Sequence, residues 1–227
     1  MDFETQRRNM VESQVRPSDV TDRRIIAAMS KIAREDFVPD SMRPLAYMDT
    51  DVRAGEARPA DQGRALMAPR VLAKLLQLAR IEDGDFVLVA GAATGYSTAV
   101  IAQLGASVVA LECDPGLAER ARSLHGPAAG HQVTVVLGEL AGGYPEEAPY
   151  DAIVVDGAVP DVPRVLLEQL KDGGRLVAVV ARDPSQSRSL GKAVVWTRNA
   201  GSFAETTAFD AAAPLLPGFE RVTAFAL

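Results

Sequence analysis

The chain has 227 residues, 48% of them hydrophobic, and its 24 basic and 30 acidic side chains leave a formal net charge of −6. That length buries one substantial core with end decorations rather than two full domains, and the intermixed charges leave no continuous positive face for nucleic acid. The single cysteine, Cys113, fits a reducing compartment, the N-terminal residues lack the apolar core of a secretory signal, and no apolar run approaches the ~20 residues that span a bilayer, so no membrane partner and a cytoplasmic location are expected.

From the N-terminus the pattern is helical. Met10, Val11 and Val15, then Ile25, Ile26, Met29 and Ile32, recur at three-to-four residue spacing behind Ser18 and Thr21 as caps, with no strand evident. Pro39 and Pro44 interrupt this pattern, and residues 49–62, polar with Gly55 and Pro59, read as an exposed loop of functional length. Pro69 then opens a helix that buries Val71, Leu72, Leu75, Leu76 and Leu78.

From Asp85 onward, short apolar runs alternate with helical stretches. The runs are residues 86–90, 108–111, 133–137, 152–155 and 176–180, and the helices are expected at 96–104, 116–124 and 162–170. Nearly unbroken apolar strands between helices predict a doubly wound α/β fold, its mostly parallel sheet covered on both faces. Beyond Arg182, residues 193–197, 203–209 and 221–227 have strand-like content without helices between them, which predicts antiparallel edge strands.

An open parallel sheet binds its ligand beyond the carboxyl ends of its strands, and the first strand–turn–helix unit supplies half the site. Here Gly91-Ala92-Ala93-Thr94-Gly95-Tyr96 keeps small residues at the turn, and the following helix aims free N–H groups at a bound anion. Glu112 ends the second strand, beside Cys113 and Asp114, where a carboxylate can accept hydrogen bonds from both hydroxyls of a ribose. A plain tight turn and a solvated strand-end acid are the alternatives. Ala93 and Tyr96 stand where a dinucleotide fingerprint needs glycines, so the spacing suits a nucleoside with a short zwitterionic arm. His125 and His131, without a completing acid or thiol cluster, predict no metal. Trp196 and Tyr144 are read as packing residues, and Asp156-Gly157 either lines the substrate mouth or forms a simple strand-ending turn.

Several blocks together resemble the protein-L-isoaspartate O-methyltransferases, within the S-adenosylmethionine-dependent methyltransferases. They are Met10-Val11-Glu12-Ser13-Gln14-Val15-Arg16, Phe37-Val38-Pro39, Leu45-Ala46-Tyr47, residues 87–99, Tyr150-Asp151-Ala152-Ile153-Val154-Val155 and Asp172-Gly173-Gly174-Arg175-Leu176-Val177. The resemblance implies S-adenosylmethionine as cofactor and a protein or peptide carrying isoaspartate as substrate. It implies a cofactor site of Gly91, Ala92, Gly95, Tyr96, Glu112, Cys113, Gly138, Glu139 and Leu140, with Glu112 on the ribose and Glu139 toward the adenine amine. It also divides the chain into an N-terminal helical extension with the active-site loop (1–68), a cofactor-binding core (69–182) and C-terminal strands (183–227).

Two departures stand out. Val89 replaces the acid that the family writes before the glycine turn, and the family's loop G-Q-T-I-S-Q-P reads here Gly63-Arg64-Ala65-Leu66-Met67-Ala68-Pro69, so that Ala65 and Met67 replace both hydroxyls. Methyl transfer to a carboxylate needs no general base, because the acceptor is already ionised near neutral pH, and alignment carries the catalysis. The loop therefore leaves no catalytic residue assigned, and Arg64 or Arg70 is the candidate to hold a carboxylate in place of the missing serine. Two readings remain: an enzyme that esterifies damaged aspartyl residues, with isoaspartyl repair weakened or altered in substrate, or a silent relative that binds cofactor or partners, suggested by Val89, Ala65, Met67 and Leu140.

Overall fold

A computed structural model describes residues 2–55, 64–126, 132–186 and 188–219. The chain opens with α1 (Phe3–Met10), whose cap is Asp2 accepting from the Thr5 N–H at 3.0 Å. A π-helical turn (Val11–Val15) and a 3-10 turn (Arg16–Ser18) lead to α2 (Arg23–Lys31), capped by Asp22 on the Arg24 N–H at 2.8 Å. Ser18 and Thr21 are not the caps: the Ser18 hydroxyl donates to the Gln14 carbonyl, and the Thr21 N–H and hydroxyl both go to Gln77.

Two further 3-10 turns, Arg34–Phe37 and Asp40–Leu45, precede a small antiparallel pair, β1 (Val52–Arg53) with β2 (Ala65–Leu66). That pair corrects the expectation of a wholly exposed loop without strands, because Val52 and Ala54 are buried and Ala65 lies in β2. Residues 56–63 of the loop, Gly63 among them, lie outside the described residues. Helix α3 (Pro69–Ala79) begins on Pro69, whose missing N–H would have had no helical partner in any case.

The βα units follow as β3 (Phe86–Ala90), α4 (Tyr96–Gln103), β4 (Ser107–Glu112), α5 (Pro115–Leu124), β5 (Val133–Leu137), β6 (Tyr150–Val159), α6 (Arg164–Glu168) and β7 (Leu170–Ala181). Two long strands close the order, β8 (Arg188–Asn199) and β9 (Ser202–Pro214), antiparallel to β7 and to each other. The seven-stranded sheet runs β5-β4-β3-β6-β7-β8-β9, parallel from β5 to β7. The predicted edge strands at 193–197 and 203–209 lie within the longer β8 and β9, while residues 221–227 lie outside the described part.

The sheet separates two apolar clusters. One gathers Met10, Ile25, Met29, Leu75, Val89 and Val100 on the side of α1 to α5; the other gathers Leu88, Val109, Ile153, Leu166 and Trp196 on the side of α6. Helix α4, which follows β3, and α6, which follows β6, therefore cover opposite faces. Strand order reverses between β3 and β6, and a crevice opens at their carboxyl ends. No helix among the described residues is long and apolar enough to cross a membrane.

Candidate active site

The turn after β3 is built by backbone conformation. Gly91 and Gly95 have φ of +88° and +94°, and Ala93 sits in the left-handed region at +50°. The Gly91 and Ala92 N–H groups both donate to the Leu111 carbonyl, at 2.9 and 3.1 Å, which fastens the turn to β4. A side chain at Gly95 is doubly opposed, because φ +94° suits only glycine and a Cβ would run into the His125 ring, whose Nε2 lies 3.0 Å from the Gly95 carbonyl. Gly95→Ala is expected to cost about 1–3 kcal/mol and lower the melting temperature by roughly 2–12 °C. Calorimetry checks this, and an unshifted melting point would show that the turn tolerates a Cβ.

Glu112, at the end of β4, is wholly buried with its carboxylate at this turn. Its Oε1 accepts from the Cys113 and Asp114 N–H groups at 2.9 and 3.0 Å, and its Oε2 from the Ala93 N–H at 2.7 Å. The fourth partner is Arg64, whose guanidinium forms a buried ion pair with Oε2. Arg64 is thus a core cation paired with the ribose-binding candidate, not a solvated loop charge. Arg70, the other candidate, is exposed and lies 3.4 Å from Asp49. Burial, and then the charge of Glu112, pushes the Cys113 thiol up to about 11, so it stays protonated and is no nucleophile near neutral pH.

Across the crevice, β6 and β7 fall out of step: between Val154 and Ala158, three residues of β6 stand against one of β7. This bulge carries Asp156, which is buried and accepts a hydrogen bond from the Ser97 hydroxyl in the first turn of α4. Burial pushes its carboxyl up to about 6. Beyond β9 the chain returns to this strand, where the Leu216 N–H donates to the Ala158 carbonyl at 2.8 Å. The Leu216 side chain then covers two glycines at once: a Cβ at Gly91 would stand 3.0 Å from both its δ-carbons, and one at Gly157 2.7 Å from its Cδ2.

The N-terminal segment clasps the same turn. Arg34, fully buried, donates to the Ala46 carbonyl at 2.7 Å and the Met67 carbonyl at 2.8 Å, with its guanidinium 4.6 Å from the centre of the Tyr96 ring. Phe37 meets Tyr96 edge-on at 5.7 Å, and the Thr94 hydroxyl donates to the Phe37 carbonyl.

The structure thus brings Gly91, Ala92, Gly95, Tyr96, Glu112 and Cys113 together, with Arg64 among them. Glu139 is exposed just beyond β5, Leu140 is buried in the cluster beneath the other face, and the Gly138 N–H donates to the Glu112 carbonyl, 3.0 Å away. The Met67 side chain is packed in the core beside Leu66 and Ala68. His131 lies outside the described residues, and His125 packs against Phe37. Among the described residues no three His, Cys, Asp or Glu side chains are grouped to hold a metal. Sequence reasoning missed Arg34, Ser97 and Leu216. For Arg34 and Leu216 no local signal exists, whereas the position of Ser97 two residues after Gly95 could have marked it.

The family model for protein-L-isoaspartate(D-aspartate) O-methyltransferase matches residues 5–204. A protein-L-isoaspartate O-methyltransferase of Methanoculleus marisnigri is 41% identical over 189 residues, covering 83% of this chain and 82% of its own. One from Roseiflexus sp. is 37% identical over 186 residues, with 82% of each chain covered. Among solved structures, a protein-L-isoaspartate O-methyltransferase superposes with a TM-score of 0.80 at 23% identity over 94% of this chain and 67% of that one. A Plasmodium falciparum protein described as a putative member, in complex with S-adenosyl-L-homocysteine, gives 0.75 at 18% identity over 93% and 98%. The sheet order, the glycine turn joined to a buried strand-end acid and a match across most of the sequence agree: the chain belongs to the protein-L-isoaspartate(D-aspartate) O-methyltransferase family, and so to the S-adenosylmethionine-dependent methyltransferases.

Proposed function

We propose that this chain esterifies the side-chain carboxylate of isoaspartyl residues in damaged proteins, with Glu112 holding the ribose of S-adenosylmethionine. The observation that carries this reading is the Glu112 carboxylate, fully buried at the β4 end and fixed by three backbone N–H groups, one of them from the glycine turn itself. The residues fit the cofactor. Glu112 offers an anionic acceptor to a diol once Arg64 moves aside, and Gly91 and Gly157 present bare backbone, a cradle that any Cβ would fill, once Leu216 does.

When bound, the cofactor supplies a methyl group activated by its sulfonium. The protein's own part is to bind, orient and exclude water. Backbone from Gly91 to Gly95 and the first turn of α4 shape one wall, and the Phe37–Tyr96 contact closes it from the N-terminal side. Because the acceptor is a carboxylate, no side chain has to remove a proton. The thioether of Met67 donates no hydrogen bond and is buried, so it cannot orient that carboxylate. Arg64, displaced from Glu112 by the ribose hydroxyls, is the cation at hand to do so in a charge-assisted pair. The lone half-buried thiol of Cys113 fits action in a reducing cytoplasm, with protein repair as the outcome.

Labelled S-adenosylmethionine tests the proposal with paired peptides that differ only in isoaspartate against aspartate. Base-labile methyl ester is expected on the isoaspartyl peptide alone. Equal labelling of both, or of neither, would sink the proposed substrate.

A further inference from the structure

Asp156 lies in the crevice and takes no part in the ribose site. It stands one residue beyond the paired Ala90 and Val155 of β3 and β6, beside the glycine turn and at the point where strand order reverses. The β6 bulge and the Ser97 hydroxyl fix one carboxylate oxygen, while Oδ1 is buried without any hydrogen-bond partner. Among the described residues no cation forms an ion pair with it, although Arg34 and Arg64 are near enough to bias its charge. A buried carboxylate in that condition is unfavourable, and proteins keep such groups where a ligand completes the pairing. Transfer to a carboxylate leaves no proton for Asp156 to remove, so a role as general base has no task to perform. What the reaction does bring to the crevice is a cation. The amino-acid arm of S-adenosylmethionine carries an ammonium, and Val89, on the same face of the neighbouring strand, offers it no charge.

We propose that Asp156, oriented by Ser97, is the anionic anchor for the ammonium of the cofactor's amino-acid arm. This rests on the reading above that the nucleoside is held at Glu112, and it adds the other end of the ligand. Leu216, which covers Gly91 and Gly157 on either side of this position, is then the side chain that the arm displaces.

Calorimetric titration of the full chain and of Asp156→Asn with two ligands provides the test. The ligands are S-adenosylhomocysteine and 5′-methylthioadenosine, which keeps the nucleoside and thioether but lacks the amino-acid arm. The substitution is expected to weaken S-adenosylhomocysteine at least tenfold, to leave methylthioadenosine within about twofold, and to leave the ligand-free melting temperature unchanged or raised. Ser97→Ala, which keeps the carboxylate but frees it to turn, is expected to show the same selectivity at roughly threefold to tenfold, and it carries the test should Asp156→Asn not fold. Equal losses for both ligands, or undiminished S-adenosylhomocysteine binding, would overturn the assignment of Asp156. Failure of the unmodified chain to bind either ligand would instead overturn the ribose site at Glu112, and this proposal with it.

Discussion

Glu112→Gln is expected to weaken S-adenosylhomocysteine binding about a hundredfold and to destabilise the protein by about 4 kcal/mol. Every direction around this carboxylate holds a donor: the Ala93 N–H and Arg64 at Oε2, and the Cys113 and Asp114 N–H groups at Oε1. An amide, flipped either way, turns its own NH2 on one of those pairs and leaves at least one buried donor unpaired, at about 1–3 kcal/mol. Arg64, itself buried, also loses its counter-charge, and breaking a buried pair costs about 3–5 kcal/mol. The two penalties share the Arg64 contact and do not add in full. For the ligand, two hydroxyls exchange a charge-assisted bond of roughly 1.5–3 kcal/mol for a neutral one of roughly 0.5–1.5 kcal/mol, a combined loss of about 2–3 kcal/mol, or about a hundredfold. Calorimetric titration and urea unfolding measure both effects. Affinity within about threefold of the unmodified chain would show that the ribose is not held here.

How far the sequence disclosed this arrangement depended on whether each signal was local. β3 was delimited to the residue as 86–90 because a parallel strand between two covered faces must be apolar along its length, and β5, a half-exposed edge strand, as 133–137 by its β-branched run Val133 to Val136. β7 runs from Leu170, well before the expected start at 176, since Leu170 pairs with Tyr150 ahead of a register shift while Lys171, Asp172, Gly173 and Gly174 break the apolar run. Two-residue strands such as β1 and β2 are too short to show any period. The caps at Asp2 and Asp22 were missed in favour of Ser18 and Thr21, one of which faces back into its own helical turn while the other is claimed by Gln77 from α3.

At the site, Glu112 was legible because strand, acid and glycine turn all lie within one βαβ unit. Arg64 was not. Its burial depends on a partner 48 residues away, and nothing local distinguishes it from a solvated arginine. Leu216 reaches the crevice only because β9 ends beside the β6 bulge, a consequence of sheet order that no local pattern carries. The loss of the loop hydroxyls, read as weakening the site, acquires a different sense once Met67 is found in the core and Arg64 on the ribose acid. This stretch of the chain serves packing and charge rather than hydroxyl donation.

Arg34→Met is expected to lower stability by about 2–4 kcal/mol, a fall of roughly 4–16 °C in melting temperature, and to weaken S-adenosylhomocysteine binding by several fold although Arg34 touches none of the proposed ligand contacts. Two buried carbonyls, those of Ala46 and Met67, lose their donor, each at about 1–3 kcal/mol. Methionine keeps much of the volume under the Tyr96 ring, and removal of a buried cation that forms no ion pair among the described residues returns part of the loss. The effect reaches the ligand because Arg34 joins the residue two before α3 to the first residue of α4, and Phe37 and Thr94 continue the same clasp to the glycine turn. Arg34→Lys separates charge from geometry. A lysine keeps the cation but has one point of donation where the guanidinium spans two carbonyls, so it should fall between the parent and Arg34→Met in both stability and affinity. Thermal melts with and without S-adenosylhomocysteine measure the series. A lysine variant that matches the parent would mean that charge alone holds the clasp, and a methionine variant with undiminished affinity would mean that the N-terminal segment does not hold the cofactor turn in shape.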